Sequence, residues 1–268
     1  MLAAPTLQSI LEQGLVSRIA GRHHEPSAPA CSTGIEPIDS ALPGRGLGLG
    51  MTHEWILEAS FASGDAWGWR APLILMAFLA AQRGGLVVLI GRRCWPSAWT
   101  LGSVGLDLSD CILAHPRDDD QRLWAIDQSL RCPGVGAVIA DASGLDMGAS
   151  RRLQLAAEAG GVLGLLARPP SEMKSLSAAA TRWVVSPRVS GSKRVSWNVS
   201  LRRCKAGALW SGARAGAVRE WTLEWRENRL GGRVVCGEGV EAACETGGVR
   251  VAADVAGGPG AAAGRKTA

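Results

Sequence analysis

The sequence predicts an α/β fold, a doubly wound and mainly parallel sheet with helices on both faces and antiparallel strands added at its C-terminal edge. Two observations carry this prediction. Short, wholly apolar runs such as Leu86–Ile90 alternate with helical segments of about ten to twelve residues, which is typical of parallel strands covered on both faces. Beyond residue 181 polar and apolar residues alternate, which is typical of antiparallel strands.

The predicted elements follow in order along the chain. Residues 6–20 predict a short amphipathic helix, and residues 21–31 predict a linker. The predicted strands are Met51–Leu57, Leu86–Ile90, Cys111–Ala114, Val135–Ala140, Val162–Leu166 and, expected to be antiparallel, Trp183–Val185, Arg194–Arg203 and Val218–Arg226; the predicted helices are 71–82, 97–104, 119–130 and 149–159. We therefore expect a helix and linker over 1–31, one domain over 32–245 and a disordered tail rich in Gly and Ala over 246–268.

The segment after the strand at 51–57 occupies the place of a phosphate-binding loop. A working loop reads G-x-x-x-x-G-K-[ST], in which backbone N–H groups cradle the phosphates, Lys reaches them and the hydroxyl holds Mg²⁺. Aligned on Gly64, this chain has Ala59 for the first Gly, Asp65 for the Lys and Ala66 for the hydroxyl residue. Because Asp65 would place a carboxylate beside phosphate, we expect no nucleotide binding.

Other positions bear on the same site. Asp141 ends its strand where a Walker-B acid would hold Mg²⁺ through water, but without the loop Lys we interpret it as a cap or a remnant. Trp67 and Trp69 lie in the degenerate loop and are hypothesised to fill the vacated nucleotide pocket. The glycine-rich loop at 43–50 precedes a strand rather than a helix N-terminus, so we interpret it as a turn and not as a phosphate cradle.

Charge is distributed unevenly along the chain. Residues 1–181 hold 14 basic and 17 acidic residues, whereas residues 182–250 hold 13 basic and 6 acidic ones. This balance indicates either an anionic partner, most commonly nucleic acid, or a solvated basic surface. The candidate contacts to DNA phosphates or to a partner protein are Lys193, Arg194, Arg202, Arg203 and Lys205. Tryptophans at alternating strand positions either stack on bases or face the core; they are Trp197, Trp221 and Trp225.

The cysteines and histidines do not predict a metal site or a cofactor. Seven Cys without a C-x-x-C pair favour reduced thiols over a disulfide framework or a zinc site. His53 and Glu54 lack the second His of the H-E-x-x-H motif. The N-terminus shows no signal-peptide pattern, and the apolar run at 71–81 is shorter than the ~20 residues that span a bilayer. We therefore expect a cytoplasmic protein.

Several segments, in this order, resemble the core of RecA-type recombinases. They are the T-G-x-x-x-[IL]-D segment at Thr33–Asp39, the run Leu101–Pro116 and the strand Gly136–Asp141. Within that superfamily, Leu153–Pro169 and the basic strand end Leu201–Lys205 are most similar to the ImuA family. Members of that family are RecA-like accessory factors of SOS-induced translesion DNA synthesis, and the resemblance spans about residues 32–205.

The resemblance implies a RecA-like fold and a non-hydrolysing adaptor, not an enzyme, that acts in DNA repair and mutagenesis. It implies three partners: an ImuB-like homologue of Y-family polymerases, an error-prone DnaE-type polymerase and, as a further candidate, RecA. In similar recombinases the strand after the first helix ends in a carboxylate that activates water, whereas here Leu86–Ile90 runs into Gly91-Arg92-Arg93. Two alternatives stay open, a SulA-like inhibitor of cell division and an active DNA-dependent ATPase with an unorthodox loop.

Overall fold

The structure is a computed structural model that describes residues 29–58, 70–91, 98–188, 196–205, 219–228 and 231–236. The strands are β1 Ala30–Cys31, β2 Leu47–Gly48, β3 Thr52–Leu57, β4 Leu86–Ile90, β5 Cys111–Ala114, β6 Val135–Asp141, β7 Leu163–Arg168, β8 Thr181–Arg188, β9 Ser196–Cys204, β10 Arg219–Asn228 and β11 Gly231–Cys236. The α-helices are α1 Glu36–Asp39, α2 Arg70–Arg83, α3 Ala98–Ser103, α4 Asp119–Arg131 and α5 Met147–Gly160. The helix predicted at 6–20 and the tail predicted at 246–268 lie outside the described residues.

One nine-stranded sheet organises the described chain. Its order is β11-β10-β9-β8-β3-β7-β6-β4-β5, and β1 and β2 form a separate two-stranded sheet. Pairing is parallel from β8 across to β5 and antiparallel from β8 to β11. The prediction of a doubly wound α/β fold on a mainly parallel sheet is therefore confirmed.

Helices cover the two faces of this sheet with separate cores. Helix α2 buries Leu75 and Met76 in one core, which also holds Trp55 and Trp183, their rings stacked with centroids 5.2 Å apart. Helices α4 and α5 bury their apolar residues in the second core, on the opposite face. Both α4 and α5 begin at an Asp whose carboxylate accepts a backbone N–H of the first turn, which satisfies a donor that the helix leaves unpaired.

The direction of β8 corrects a prediction. The segment Trp183–Val185 was expected to be an antiparallel strand, but β8 runs parallel to β3, with Trp183 beside Trp55. The chain after β7 returns to the end of the sheet at which the parallel strands begin. There the Ala180 N–H donates to the Thr52 carbonyl at 2.8 Å. Strand β8 is antiparallel only to β9, because alternation of polar and apolar residues carries no information about strand direction.

Hydrogen bonds join the two ends of the segment Thr33–Asp39. The Asp39 carboxylate, which is buried, accepts from the Thr33 N–H and hydroxyl, both at 2.8 Å, and from the Ser32 hydroxyl at 2.6 Å. Gly34 between them has φ of 73°, a conformation that favours glycine. The glycine-rich stretch that follows forms a 3-10 turn at Pro43–Arg45 and then β2, so its interpretation as a turn is confirmed.

His53 is a buried structural residue with a defined tautomer. Its Nε2 lies 3.0 Å from the Gly48 carbonyl oxygen, so Nε2 carries the proton and donates. Its Nδ1 therefore accepts from the Thr181 hydroxyl at 2.8 Å, and that hydroxyl accepts from the Trp183 indole N–H at 2.7 Å. Burial, opposed by the bond to Gly48, lowers the pKa of His53 from 6.5 to about 4. His53 thus ties β2, β3 and β8 together as a neutral imidazole.

None of the helices in the described part of the chain combines the length and apolar character that crossing a membrane requires.

The first prediction concerns pH. Because the folded-state pKa of His53 is lowered, the unfolded chain binds a proton that the folded chain does not, and stability falls as pH drops below 6.5. Between pH 6.5 and 5 this group removes about 2 kcal/mol from the free energy of unfolding. We expect His53→Gln to flatten the curve of urea-unfolding free energy against pH in that window. An equally steep curve in the variant would contradict this role.

Candidate functional site

The candidate site is the edge where β3, β7 and β6 end. In doubly wound sheets, ligands bind at the carboxyl ends of the strands, where successive connections pass to opposite faces. Here β3 leads towards α2 on one face, and β6 leads to α5 on the other. The degenerate loop with Ala59, Gly64, Asp65 and Ala66, together with Trp67 and Trp69, lies outside the described residues, so its predictions stay predictions.

Asp141 ends β6 with every carboxylate oxygen engaged. Its Oδ1 accepts from the Ser143 N–H at 2.9 Å and from the Ser143 hydroxyl at 2.6 Å. Its Oδ2 accepts from Arg122 Nη1 at 3.2 Å, and the same guanidinium donates to the Ser143 carbonyl at 2.5 Å. Arg122 comes from α4 and is buried, so Asp141 caps a turn and neutralises an interior cation. This geometry agrees with the interpretation of Asp141 as a cap.

A second ion pair holds the other side of the same turn. Arg168, the last residue of β7, donates to the Leu145 carbonyl at 2.7 Å and through Nε to Glu172 at 2.7 Å. The other oxygen of Glu172 accepts the Gly144 N–H at 2.7 Å. The backbone between Asp141 and Leu145 is therefore held from both sides by charged side chains.

Glu54 lies at the centre of this ionic network. It is a β3 residue with only 1% of its surface exposed, and it sits between two arginines. Arg168 Nη1 donates to Oε1 at 2.9 Å, and Arg182 Nε donates to Oε2 at 2.7 Å. Arg182 also donates to the Met173 carbonyl at 2.8 Å. One carboxylate thereby joins β3, β7, β8 and the segment that connects β7 to β8.

The network keeps Glu54 ionised. Burial alone would raise the pKa of Glu54, but a hydrogen bond from Ser177 and the bonds and charges of Arg168 and Arg182 outweigh it, so the pKa lies below its ordinary value. The same carboxylate, with Glu172, raises the pKa of Arg168 against the opposing effect of burial. Glu54 and Arg168 are therefore both charged at neutral pH.

The structure separates the basic residues that the sequence groups together. Arg202 is exposed and lies 3.8 Å from Glu220. Arg203 lies beside Arg182 in the sheet and donates to the Ala179 carbonyl at 3.3 Å. Lys205 follows β9 and donates to the Ala178 carbonyl. The other two candidate contacts, Lys193 and Arg194, lie outside the described residues.

Arg203 and Lys205 belong to a local excess of positive charge. Burial and the neighbouring charge of Arg182 lower the pKa of Arg203, although Glu54 opposes this shift. Burial also lowers the pKa of Lys205, as do the charges of Arg203 and Arg151, again against the pull of Glu54. These cations repel one another, so an anion bound beside them would be stabilised.

The tryptophans of the C-terminal strands face the core rather than a ligand. Trp197 and Trp221 are buried, and Trp225 packs against the same core. The ring of Trp221 lies 5.9 Å from that of Trp183, centroid to centroid. Base stacking by Trp197 and Trp221 is therefore excluded in this arrangement, and the core interpretation is confirmed.

Sequence reasoning missed Glu54, Arg168, Arg182 and Arg122 as members of the site. A signal for two of them was present, because Glu54 is a charged residue in the middle of a strand and Arg168 ends an otherwise apolar strand. Charged residues are rarely buried unless they are paired, so each pointed to a partner. The identity of the partner was not available from sequence spacing.

The fold and this edge define a class: a doubly wound α/β protein in which the carboxylates of Asp141 and Glu54 are paired with buried arginines. No family model matches the chain. It is 32% identical over 197 residues to "Protein ImuA" of Caulobacter vibrioides (strain NA1000 / CB15N), covering 67% of this chain and 80% of that relative. Protein ImuA of strain ATCC 19089 / CIP 103742 / CB 15 aligns with the same identity and coverage. The chain belongs to the ImuA family.

The second prediction concerns Glu54. Replacing it by Gln removes the counter-charge that the buried Arg168 and Arg182 share and leaves Arg168 with Glu172 alone, which should lower the free energy of unfolding near pH 7 by about 3–5 kcal/mol. Because the pKa of Glu54 is depressed, its contribution is present above its unfolded-state value and is lost as pH falls through its folded-state value. We therefore expect urea unfolding to show a difference between Glu54→Gln and wild type that shrinks below about pH 4.

Glu36→Gln is the matched control. Glu36 pairs with Arg45, but both side chains are largely exposed, so its replacement should change stability by less than about 1 kcal/mol. Equal losses in the two variants would show that the Glu54 pairs contribute no more than surface ones.

Proposed function

We propose that this protein is a RecA-like, non-hydrolysing adaptor in SOS-induced, error-prone translesion DNA synthesis. Its membership in the ImuA family supports a role in mutagenesis after DNA damage. In this proposal the protein docks to an ImuB-like protein and to an error-prone DnaE-type polymerase. A RecA-like fold offers surfaces suited to RecA-type neighbours, and without ATP turnover those surfaces serve docking alone.

The observation that carries the non-hydrolysing part of the proposal is the engagement of Asp141. A Walker-B acid holds Mg²⁺ through water with its carboxylate oxygens. In this protein those oxygens accept hydrogen bonds from Ser143 and Arg122. The positive charge of the Arg122 guanidinium would repel a divalent cation at this place. Together with Asp65 in place of the loop Lys, this arrangement favours neither Mg²⁺ nor ATP.

The third prediction is the outcome of nucleotide titration. We expect calorimetry with Mg²⁺-ATP at millimolar concentration to show no binding, and no hydrolysis with or without single-stranded DNA. Asp141→Ala should lower the free energy of unfolding by about 1–3 kcal/mol, because Arg122 loses a buried partner, and should leave the nucleotide result unchanged. Asp119→Ala removes an exposed partner of the same arginine and should cost less than about 1 kcal/mol.

If the wild type binds ATP and the Asp141→Ala variant does not, the adaptor proposal is contradicted. That result would support the alternative of an active DNA-dependent ATPase. If ATP does not bind, co-purification of the wild-type chain with the ImuB-like and DnaE-type proteins tests the docking part of the proposal. Filamentous cells on overexpression, with no such co-purification, would support the SulA-like alternative instead.

The proposal also includes a contact with an anion, DNA phosphate in the first place, at Arg203 and Lys205. Its support is the local excess of positive charge that these residues form with Arg151 and Arg182. Each phosphate contact adds a salt-dependent increment to affinity because bound counterions are released.

The fourth prediction tests this contact. We expect the full chain to bind a single-stranded oligonucleotide with an affinity that falls as salt rises, and Lys205→Gln to reduce both the affinity and the slope of that salt dependence. Lys174→Gln, which removes an exposed lysine of the β7–β8 connection, is the control and should change neither quantity. Equal effects of the two variants on fluorescence anisotropy would show general charge attraction rather than a site.

A further inference from the structure

The outermost parallel strand, β5, carries exposed apolar side chains. It pairs with β4 on one side and has no partner strand on its other side among the described residues. Seven large hydrophobic side chains are exposed in the described chain, and three of them lie in or just before this strand: Leu108 at 48%, Ile112 at 48% and Leu113 at 41%. Exposed apolar residues concentrated at one sheet edge indicate a surface that another chain covers.

The edge is apolar on both faces of the sheet. Ile112 lies beside Val88 and Leu113 lies beside Leu89, and those two β4 residues belong to the cores on opposite faces. Ile112 and Leu113 therefore point to opposite faces. The strand Cys111–Ala114 contains no charge and no proline, which are the devices that usually protect an edge from pairing with another strand.

Acidic residues flank this apolar edge at both ends. Asp107 and Asp110 precede β5, and Asp118, Asp119 and Asp120 follow it. All five are exposed, and Arg117 is the basic residue among them. A second copy of the chain, paired edge to edge, would bring carboxylates together, whereas a segment with basic ends would meet opposite charges.

We propose that β5 is the docking edge for an extended segment of a partner protein, apolar on both faces at its centre and carrying Lys or Arg at both ends. The segment joins the sheet as an additional strand. Its main-chain hydrogen bonds to β5 supply affinity, and contacts with Ile112 and Leu113 and with the flanking carboxylates supply specificity. This inference deepens the adaptor proposal by stating the chemistry of one docking partner.

The experiment uses a fluorescein-labelled peptide, Lys-Lys-Val-Ile-Val-Val-Lys-Lys, and the full chain. We expect fluorescence anisotropy to show binding that weakens as salt rises, because charged ends contribute. Ile112→Lys should weaken binding by about tenfold or more, since it removes apolar contact and adds like charge. Leu155→Lys is the matched control, because Leu155 is equally exposed at 48% but lies on α5, and it should bind as wild type does.

A second pair of reagents tests the charges and does not depend on the folding of Ile112→Lys. The double variant Asp110→Lys with Asp120→Lys changes exposed side chains only and should weaken binding of the basic peptide. It should in turn bind a peptide with Glu in place of each Lys, which wild type should not bind. Circular dichroism and thermal unfolding check that each variant is folded.

Three results would overturn the inference. They are no binding of the basic peptide to wild type, equal binding by Ile112→Lys and wild type, and a wild-type dimer in sedimentation that Ile112→Lys dissociates. The last result would make a second copy the occupant. None of these measurements involves nucleotide or a polymerase, so their failure is distinguishable from failure of the adaptor proposal.

Discussion

The buried carboxylate of Glu54 is the constraint on which the rest of this structure depends. A charge inside a protein is tolerated only when opposite charges and hydrogen bonds replace water, and Arg168 and Arg182 fulfil this condition. Because these three residues come from β3, β7 and β8, the condition can be met only when the three strands adopt their observed alignment. Arg168 then reaches on to Leu145 and Glu172 and fixes the turn after β6.

The same ion pairs hold the edge of the sheet at which doubly wound proteins bind their ligands. The groups there form two linked sets of ion pairs, one through Asp141 and Arg122 and one through Glu54 and Arg168, joined by the backbone of the turn at 141–145. Charges that are paired in this way fix the backbone of that turn. Elsewhere among the described residues, positive charge accumulates around Lys205, and exposed apolar side chains line the edge strand β5.

Much of the fold could be predicted because its signals are local. Wholly apolar runs such as Leu86–Ile90 mark parallel strands wherever they pair, and the Asp residues that cap α4 and α5 stand next to the turns they satisfy. The site could be predicted only in part, since Asp141 was recognised at its strand end but its partner was not. The predicted direction of β8 was wrong for a related reason. Periodicity indicates the face of the sheet to which a side chain points, but not the strand beside which it lies.

The sequence by itself determined the fold class, the order of β3 to β10 and of α2 to α5, and membership in the ImuA family, which rests on motifs read in order along the chain. Only the tertiary structure decided which charges meet. Arg122 and Asp141 are 19 positions apart, and Glu54 is 114 and 128 positions from the two arginines that neutralise it. Helix and strand periods extend over a few residues, whereas electrostatic pairing depends on distance in space, which the chain acquires only when the sheet has formed.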